Sequence, residues 1–372
     1  MLENWLKPLP LENLWSNHTK SWQLGARTVF YAAGFELPVW SHFPVTLITS
    51  DCKGMDELRK ALYSFKSLHE NFDFLDLGQL RKSNEDFTLP LFEEIFNAGV
   101  FPILVTNDSA INKAFIQALD NVYSTFHLTA IDDRFRYSPY QQAAEVPYWD
   151  SFLSEEKELA EGAHIVGVQT HLIPAGAFAY CEENGISLHR LGQARLNIQD
   201  LEPSIRHADI CILEMSSLKH TDFPSQIPQS PSGFFLEEIC QLARYAGLSD
   251  SLKGFSISGF NLNDTNQLTD SQALAQIIWY FLDGFNNKKG DFPFQFEGMI
   301  EYLVDVKENN RLLTFWKSNR SGRWWIQIEK VNKDNQEGKV NVRLIPVSYQ
   351  DYLDACEGEL SHRVLKALVK YS

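Results

Sequence analysis

The residues best suited to chemistry stand directly after three apolar runs of the chain, at 102–105, 125–131 and 210–213. They are Asp108, Asp132, Arg134, Arg136 and Glu214. Carboxylates can hold a divalent cation, whereas a guanidinium is a permanent cation that pairs with carboxylates or phosphates. What these groups can do together depends on whether the three runs are neighbouring strands.

Short apolar, β-branched runs alternate with amphipathic stretches from Pro44 to about Gly284. The pattern predicts strands at 45–49, 74–77, 102–105, 125–131, 164–168, 210–213 and 254–258. It predicts helices at 55–68, 89–98, 110–119 and 234–246, and another that starts near Thr269. Gly247 is predicted to end the fourth helix as a left-handed terminator. Such alternation indicates βαβ units around a parallel sheet, with chemistry expected just beyond the carboxyl ends of the strands.

The sequence pattern changes after Gly290. Strands are predicted at 296–306, 312–317, 323–330 and 339–345, joined by polar turns at 308–310, 319–322 and 332–338. This spacing indicates an antiparallel sheet, and one closing helix is predicted at 349–371. We therefore predict three parts: an N-terminal arm at 1–43, an α/β domain at 44–287, and a C-terminal β-rich extension with a closing helix at 288–372.

The composition is that of an ordinary globular protein. The 372 residues include 33 Lys and Arg against 48 Asp and Glu, which gives a net charge of −15. This balance argues against a general nucleic-acid binder, because neutralising phosphates requires a basic face. No apolar run is long enough for a membrane span and the first residues lack a signal-peptide pattern, so we expect a cytoplasmic protein. The five cysteines are scattered and odd in number, which favours reduced thiols over disulfides.

Three segments after predicted strands match an ordered series of known motifs. Residues 102–110 resemble Pro-Ile-Val-Leu-Gly-Gly-Asp-His-Ser, residues 132–136 resemble Asp-Ala-His-x-Asp, and residues 212–216 resemble Ser-Phe-Asp-x-Asp. These are motifs of the ureohydrolase family of arginase, agmatinase and formiminoglutamase, and the resemblance extends over residues 44–285. The Gly-Arg-Trp-Trp text at 322–325 resembles the formiminoglutamase-like branch with a C-terminal extension. The resemblance implies an α/β fold, an arginase-like three-layer αβα sandwich with a mainly parallel sheet.

Active members of this family hold two manganese ions at these strand ends, and the chain departs from their ligand pattern. The corresponding positions are Ser109, Asp132, Arg134, Arg136, Glu214 and Ser216. Gly259 stands where the family has a substrate-contacting Glu, and residues 138–151 lack the His of the family's His-Gly-Asn loop. A guanidinium is never a metal ligand, so two carboxylates and two serines beside two arginines are a poor ligand set for a binuclear centre. We expect that the ancestral manganese is lost and that no cofactor is bound.

Loss of the metal ions would leave Asp132 and Glu214 as unpaired buried carboxylates, which is energetically costly. Arg134 and Arg136 lie on the strand end that carries Asp132, and we predict that they pair with these carboxylates. The alternative is that the two arginines bind a small anionic ligand in the former active cleft.

The expected function is that of a non-catalytic ureohydrolase homologue, a scaffold or binding subunit with an unknown protein partner or in a homo-oligomer. Two alternatives remain open. One is a hydrolase of linear amidine or guanidine C–N bonds of the formiminoglutamase type, and the other is a binder of an anionic metabolite. No nucleic-acid partner and no membrane span are expected.

Other polar residues are expected to be structural. Asp108 is interpreted as a turn or helix-cap residue before Ala110. The histidines at 127, 164, 171 and 189 are interpreted as satisfied structural residues, and the cysteines at 181, 211 and 240 as core. The stretch 317–325 predicts a hairpin turn followed by a strand that buries Trp324 or Trp325, with contact to nucleic acid or an acidic partner as the alternative.

Overall fold

Buried parallel strands form the centre of the molecule. The computed structural model describes residues 2–10, 20–68, 72–123, 125–140, 146–153, 162–262, 265–292, 296–306, 311–331 and 340–371. The strands of the central sheet are β1 Leu6–Lys7, β2 Thr28–Phe30, β3 Val45–Thr49, β4 Phe74–Leu80, β5 Phe101–Val105, β6 Leu128–Ile131, β7 Ala163–Val168, β8 Ile186–Arg190, β9 Ile210–Glu214 and β10 Gly254–Ser258. Strands β3, β5, β6, β9 and β10 are buried along their whole length, as expected when helices cover both faces of a sheet.

The sheet runs in the order β1-β4-β3-β5-β10-β9-β6-β7-β8, and β2 also pairs with β4. Only the pairing of β1 with β4 is antiparallel in this described sheet. Strands β1 and β2 come from the predicted N-terminal arm, whose residues 1 and 11–19 lie outside the described residues. Edge strand β8 is absent from the predicted strands, because its polar residues interrupt the apolar pattern that identifies the inner strands.

Helices cover both faces of the sheet, which confirms the predicted three-layer αβα architecture. They are α1 Met55–Ser64, α2 Glu85–Asn97, α3 Ile111–Val122, α4 Ala175–Glu183, α5 Leu191–Leu196, α6 Glu202–Arg206, α7 Leu236–Gly247 and α8 Gln267–Asn286. Helices α1, α7 and α8 pack on one face of the sheet and contribute to one apolar core. Helices α2, α3 and α4 contribute to the second core on the other face.

Gly247 does not act as the predicted left-handed terminator. It is the last residue of α7, and its φ lies outside the left-handed region. Its role is steric, since a Cβ at Gly247 would lie 2.1 Å from the carbonyl oxygen of Phe281 in α8. A Cβ at Gly284 would likewise lie 2.3 Å from the carbonyl oxygen of Arg244. The two glycines allow the backbones of α7 and α8 to approach closely.

A second sheet follows the α/β part of the chain. Its strands are β11 Met299–Val306, β12 Arg311–Ser318, β13 Trp324–Val331 and β14 Val340–Val347, and they pair in that order as an antiparallel meander. Gly322 has a φ of 75° in the described turn at 319–322. The predicted turns at 308–310 and 332–338 lie outside the described residues. Trp324 and Trp325 are both buried, which confirms the predicted core strand.

The prediction of one closing helix is wrong. The structure has two helices, α9 Tyr349–Glu357 and α10 His362–Tyr371. Ser348 and Asp351 form a capping box at the start of α9, and Gly358 ends α9 with a φ of 90°. A residue in this left-handed conformation stops the helix, because its backbone cannot continue the right-handed turn.

The second sheet docks on α6 of the α/β part. The guanidinium of Arg206 lies 4.5 Å from the ring centre of Trp325, and its Nη2 donates to the carbonyl oxygen of Trp324 over 3.3 Å. Glu202 accepts from Arg206 Nε at 2.9 Å and lies 3.1 Å from Arg323 Nε.

None of the described helices is both long enough and apolar enough to cross a lipid bilayer.

We predict that Gly247→Ala destabilises the chain by about 1–3 kcal/mol, because the added methyl group would overlap the backbone of α8. Urea unfolding followed by circular dichroism measures this loss. Gly192→Ala is the matched control, since a Cβ there has no neighbour within 4 Å. Equal stability of the two variants would contradict the close approach of α7 and α8.

Candidate functional site

The carboxyl ends of four adjacent strands converge at one edge of the central sheet. Strands β5, β10, β9 and β6 are consecutive in the sheet order. The chain beyond them supplies Ser109, Gly259, Ser216 and the segment 132–136, and Glu214 ends β9. The structure brings these residues into one buried cluster, because parallel strands place their carboxyl ends at the same edge.

Arg136 lies at the centre of this cluster. Its Nε donates to Asp132 Oδ2 over 2.8 Å, and its Nη2 donates to Ser216 Oγ over 2.8 Å. The same Nη2 lies 3.6 Å from Asp133 Oδ1 and 3.9 Å from Glu214 Oε2. The three acidic side chains are fully buried and that of Arg136 is 4% exposed. One guanidinium therefore lies among three carboxylates at the strand ends that carry the motif residues.

Arg134 pairs with Asp133, which is not one of the predicted site residues. Its Nε donates to Asp133 Oδ1 and its Nη2 to Asp133 Oδ2, both over 2.9 Å. The predicted partners were Asp132 and Glu214. The chain bends at residues 133–134 instead of continuing as a strand, so two consecutive aspartates contribute to one cluster. Both arginines that are candidates for anion binding are thus bound to carboxylates of the chain itself.

Neutral side chains complete the hydrogen bonding of Glu214. Its Oε1 accepts from Ser258 Oγ at 2.7 Å and from Asn112 Nδ2 at 3.3 Å. Its Oε2 accepts from Ser109 Oγ at 3.2 Å. This satisfaction of both oxygens permits an acidic group to remain in the interior.

Position 259 has no room for a side chain, so glycine is required there. Its φ is 80°, and a Cβ at this position would lie 2.2 Å from Glu214 Oε2. The space that a side chain at position 259 would need is therefore filled by Glu214 of the neighbouring strand. A larger residue at 259 would displace the carboxylate that the serines bind.

Tyr148 covers the cluster from the segment 146–153. Its hydroxyl donates to Asp132 Oδ2 over 2.8 Å, and Tyr148 and Trp149 are both fully buried. Residues 141–145 of the predicted loop region lie outside the described residues. No sequence pattern predicts that Tyr148 belongs to the cluster, because loop geometry decides where its side chain lies. Asn112 could have been predicted, because it is a polar residue on the otherwise apolar face of α3.

Burial raises the pKa of Asp132 to about 8, and the negative charges of Asp133 and Glu214 add to this effect against the attraction of Arg136. Burial also opposes ionisation of Asp133, but hydrogen bonds from Arg134 and the charge of Arg136 hold its pKa below the ordinary value. Burial disfavours the charge of Arg136, yet the surrounding carboxylates hold its pKa well above the usual range. With Asp132 protonated, the cluster contains two carboxylates, Asp133 and Glu214, and two guanidinium groups. Its net charge is then zero.

The donor set does not fit a binuclear manganese centre. Manganese prefers several anionic oxygens or imidazoles as ligands. Of the six positions that correspond to the ligands of the family motifs, two are arginines and two are serines. No group of three or more His, Cys, Asp or Glu side chains suited to a metal ion occurs in the described part of the chain. The position between Asp132 and Glu214 is occupied by the guanidinium of Arg136.

The other residues singled out by sequence are local or core groups. Asp108 Oδ1 accepts from the backbone N–H of Ala110 over 2.9 Å just before α3, which confirms its interpretation as a turn residue. The thiols of Cys181, Cys211 and Cys240 are buried, and burial raises the pKa of each to about 12. A cluster of histidines at the opposite edge of the sheet is a feature that sequence spacing alone does not reveal.

We predict that Arg136→Met lowers the free energy of unfolding by about 3–5 kcal/mol, because buried carboxylates lose their central cation. The matched control is Arg244→Met, whose ion pair with Asp283 is 2.7 Å long and whose side chain is 40% exposed. Its loss should cost no more than about 1 kcal/mol. Chemical denaturation of both variants at neutral pH measures the difference, and equal losses would contradict the central role of Arg136.

We predict that Asp132→Asn reduces the pH dependence of stability between about pH 6 and pH 8. The folded pKa of Asp132 is raised, so its stabilising contribution is full below about pH 4, the ordinary value, and is lost as pH rises through about 8. The slope of this loss is at most about 1.4 kcal/mol per pH unit. Asparagine at position 132 stays neutral at every pH, so it removes this titration. Urea titrations at several pH values test this, and identical slopes for the two proteins would contradict it.

Comparison with solved structures places the fold. The chain is similar to formiminoglutamase from Trypanosoma cruzi with Mn2+2, at a TM-score of 0.60 and 14% identity over 68% of this chain and 97% of that one. It is similar to formimidoylglutamase from Bacillus subtilis subsp. subtilis str. 168, at a TM-score of 0.61 and 14% identity over 75% and 95% of the two chains. Agmatine ureohydrolase of Thermoplasma volcanium has a TM-score of 0.51 at 13% identity over 74% and 96%.

No protein-family model and no curated protein sequence matches the chain. At such low identities the structural likeness concerns the fold and leaves the chemistry to the site. The predicted fold is confirmed: the chain has the arginase-type fold of the ureohydrolases, extended by a four-stranded antiparallel sheet and two helices.

Proposed function

We propose that the chain is a non-catalytic ureohydrolase homologue whose former metal cleft is closed by an internal ion-pair network, and that it acts as a scaffold or binding subunit. The observation that carries this proposal is the position of Arg136. Its guanidinium lies 2.8 Å from Asp132 and 3.9 Å from Glu214, the two remaining carboxylates of the ligand pattern.

Electrostatic repulsion supports the proposed loss of manganese. A divalent ion about 4 Å from the Arg136 guanidinium would be repelled by about 8 kcal/mol at an effective dielectric constant of about 20. Arg136 cannot lose its proton to relieve this repulsion. Metal binding would therefore require the side chain to leave a site where it binds Asp132 and Ser216.

Access supports the same proposal. Hydrolysis of an amidine requires an activated water and a substrate within reach of it. Asp132, Asp133 and Glu214 are fully buried, and Tyr148 hydrogen-bonds to Asp132 from above the cluster. The raised pKa of Asp132 is a feature of some catalytic groups, but here the carboxyl group is already bound by Arg136 and Tyr148.

Manganese titration is the test of the proposal. We predict that the purified chain binds well under one manganese ion per molecule, that manganese does not raise its melting temperature, and that it releases no ammonia or formamide from formiminoglutamate. Metal analysis after dialysis, thermal denaturation and a product assay measure these three properties. Stoichiometric manganese together with turnover would establish the alternative, a formiminoglutamase-like hydrolase.

A variant of the same chain supplies the positive control. Ser109→His, Arg134→His, Arg136→Asp and Ser216→Asp together restore the ligand types of the family motifs while the carboxylates of Asp132 and Glu214 stay in place. We expect manganese to raise the melting temperature of this fourfold variant, because a ligand bound only by the folded state stabilises it.

The scaffold role has its own readout. Affinity capture of the full chain from native lysate, followed by measurement of complex mass, should give a stoichiometric partner or a homo-oligomer. A chain that remains monomeric and captures no partner would count against this part of the proposal, whatever the result of the manganese titration.

A further inference from the structure

Four histidines lie together at the edge of the central sheet opposite the carboxylate cluster. His127 precedes β6, His164 lies in β7, His189 lies in edge strand β8, and His207 precedes β9. Strands β9, β6, β7 and β8 are consecutive in the sheet order, so four separate parts of the chain contribute to this histidine cluster. Histidine is the side chain whose charge changes between about pH 5 and 8, so a cluster of four can respond to acid.

The imidazole rings of the histidine cluster contact one another. His164 Nδ1 lies 3.2 Å from His189 Nε2, so one of these two rings donates a hydrogen bond and the other accepts it. The ring centres of His127 and His207 lie 3.7 Å apart, and those of His164 and His207 lie 6.5 Å apart. A proton on the accepting nitrogen would turn the first contact into two N–H groups that face each other. The observed contacts therefore suit neutral rings.

Helix α10 of the C-terminal extension brings positive charge to the same place. A cavity of about 610 Å³ between α10 and the sheet edge is lined by three histidines of the cluster and by Arg363, Lys366 and Lys370. Lys366 Nζ donates to Ser187 Oγ over 3.0 Å, and Ser187 is paired with His164 in the ladder between β8 and β7. An ammonium group of α10 is therefore held beside the histidine cluster.

Acidic side chains near this contact lie beside Arg363 and His127. Asp200 and Asp351 line the cavity and form ion pairs with Arg363. Asp209 lies 3.5 Å from His127 Nδ1 and accepts a hydrogen bond from the backbone N–H of His127. At neutral pH the described lining of the cavity contains three Lys or Arg side chains and two carboxylates. Each proton taken up by a histidine of this lining would add to the excess of positive charge.

The surroundings of three rings oppose protonation. Burial, together with other histidines and nearby cations, lowers the pKa of His164 and of His207 well below the ordinary value. Burial and the positive charges of α10 lower the pKa of His189 to about 3. The charged or titratable groups that act most strongly on the three rings, besides one another, are His127 before β6, Arg206 of α6, and His362, Arg363, Lys366 and Lys370 of α10.

The direction of the pH effect follows from these lowered pKa values. A histidine that leaves these surroundings regains an ordinary pKa of about 6.5. The stabilising contribution of each neutral ring to the contact with α10 is therefore full above about pH 6.5. It is lost as the pH falls from there towards the lowered pKa, because the state without the contact binds more protons.

We propose that the contact between α10 and the histidine cluster is acid-sensitive: protonation of His164, His189 and His207 places new charge beside the cations of α10 and releases α10 from the α/β part of the chain. The other side of α10 contributes apolar residues to the core of the second sheet. Acid therefore loosens the docking of the C-terminal extension and leaves that core intact. The contact lies at the opposite edge from the carboxylate cluster, so the proposal does not depend on whether the chain binds manganese.

Hydrogen–deuterium exchange of the full chain at pH 7.5 and pH 5.5 tests the proposal, with the rates divided by those of an unstructured peptide at the same pH. A ten-residue helix depends on packing, so the amides of α10 exchange faster when one of its contacts is lost. Each histidine that takes up a proton on release should raise the opening constant about tenfold between these pH values. We expect the protection of α10 to fall by about tenfold or more relative to that of α3. An unchanged ratio of protection, whether neither helix or both lose it, would overturn the proposal.

His189→Gln is the diagnostic variant, because glutamine stays neutral at every pH and can still form a hydrogen bond with His164. We expect the loss of α10 protection between pH 7.5 and pH 5.5 to be about tenfold smaller than in the unaltered chain, since one proton fewer is taken up. His42→Gln is the matched control in the N-terminal arm, where the histidine is exposed, and it should leave the pH dependence unchanged. Equal pH dependence of His189→Gln and the unaltered chain would overturn the proposal.

Imidazole NMR of the unaltered chain decides the question if His189→Gln does not fold. The ring resonances of His164, His189 and His207 should titrate with midpoints below about pH 6.5, the ordinary value. The amide resonances of α10 should change over the same pH range as these rings. Midpoints at or above the ordinary value, or α10 resonances that stay constant while the three rings titrate, would contradict the proposal.

Discussion

The hydrogen bond between Arg136 and Asp132 holds a guanidinium at the point where four strands of the sheet converge. It is 2.8 Å long and almost wholly buried. Two further carboxylates, Asp133 and Glu214, lie within 4 Å of the same guanidinium. Taking unpaired charges out of water costs several kcal/mol for each ion, so the strand ends can approach one another only if a cation lies among them. In this chain the cation belongs to the protein itself.

The side chains around Arg136 are consistent with the need to balance charge at these strand ends. Ser109, Asn112 and Ser258 are neutral donors that bind the oxygens of Glu214, and Ser216 bridges Arg136 and Asp133. Gly259 leaves the space that Glu214 fills. An arginase-type sheet can therefore hold an internal network of acids and arginines at these strand ends, because the fold alone does not dictate the chemistry of the site.

The two edges of the sheet differ in how their charges are arranged. At the carboxyl edge, acids and arginines bind one another and Tyr148 covers them. At the amino edge, lysines and histidines surround a cavity, and acids at its border are bound by Arg363. Helix α10 supplies the lysines, so the C-terminal extension adds to the α/β part a surface of opposite charge to the chain as a whole.

Local pattern determined much of the architecture. Residues 45–49 are rich in β-branched side chains, and residues 254–258 alternate small and apolar side chains. Both runs are strands with the predicted bounds. The order of the three motifs along the chain predicted the correct fold. Each motif follows a parallel strand, so their sequence order reflects the order of strands and helices in the fold. Edge strand β8 and the break at Gly358 were not predicted, since a half-polar edge strand and a left-handed residue have weaker local signals.

The sequence by itself determined that two carboxylates and two arginines lie at the edge of one sheet, because each directly follows or ends a recognisable strand. Only the tertiary structure decided the pairs: Arg134 with Asp133, Arg136 with Asp132, and Tyr148 with Asp132. It alone brought together histidines 127, 164, 189 and 207 with the lysines of α10. The physical reason is that hydrogen bonds and ion pairs act over a few ångströms, and residues far apart in sequence reach that distance only when the chain has folded.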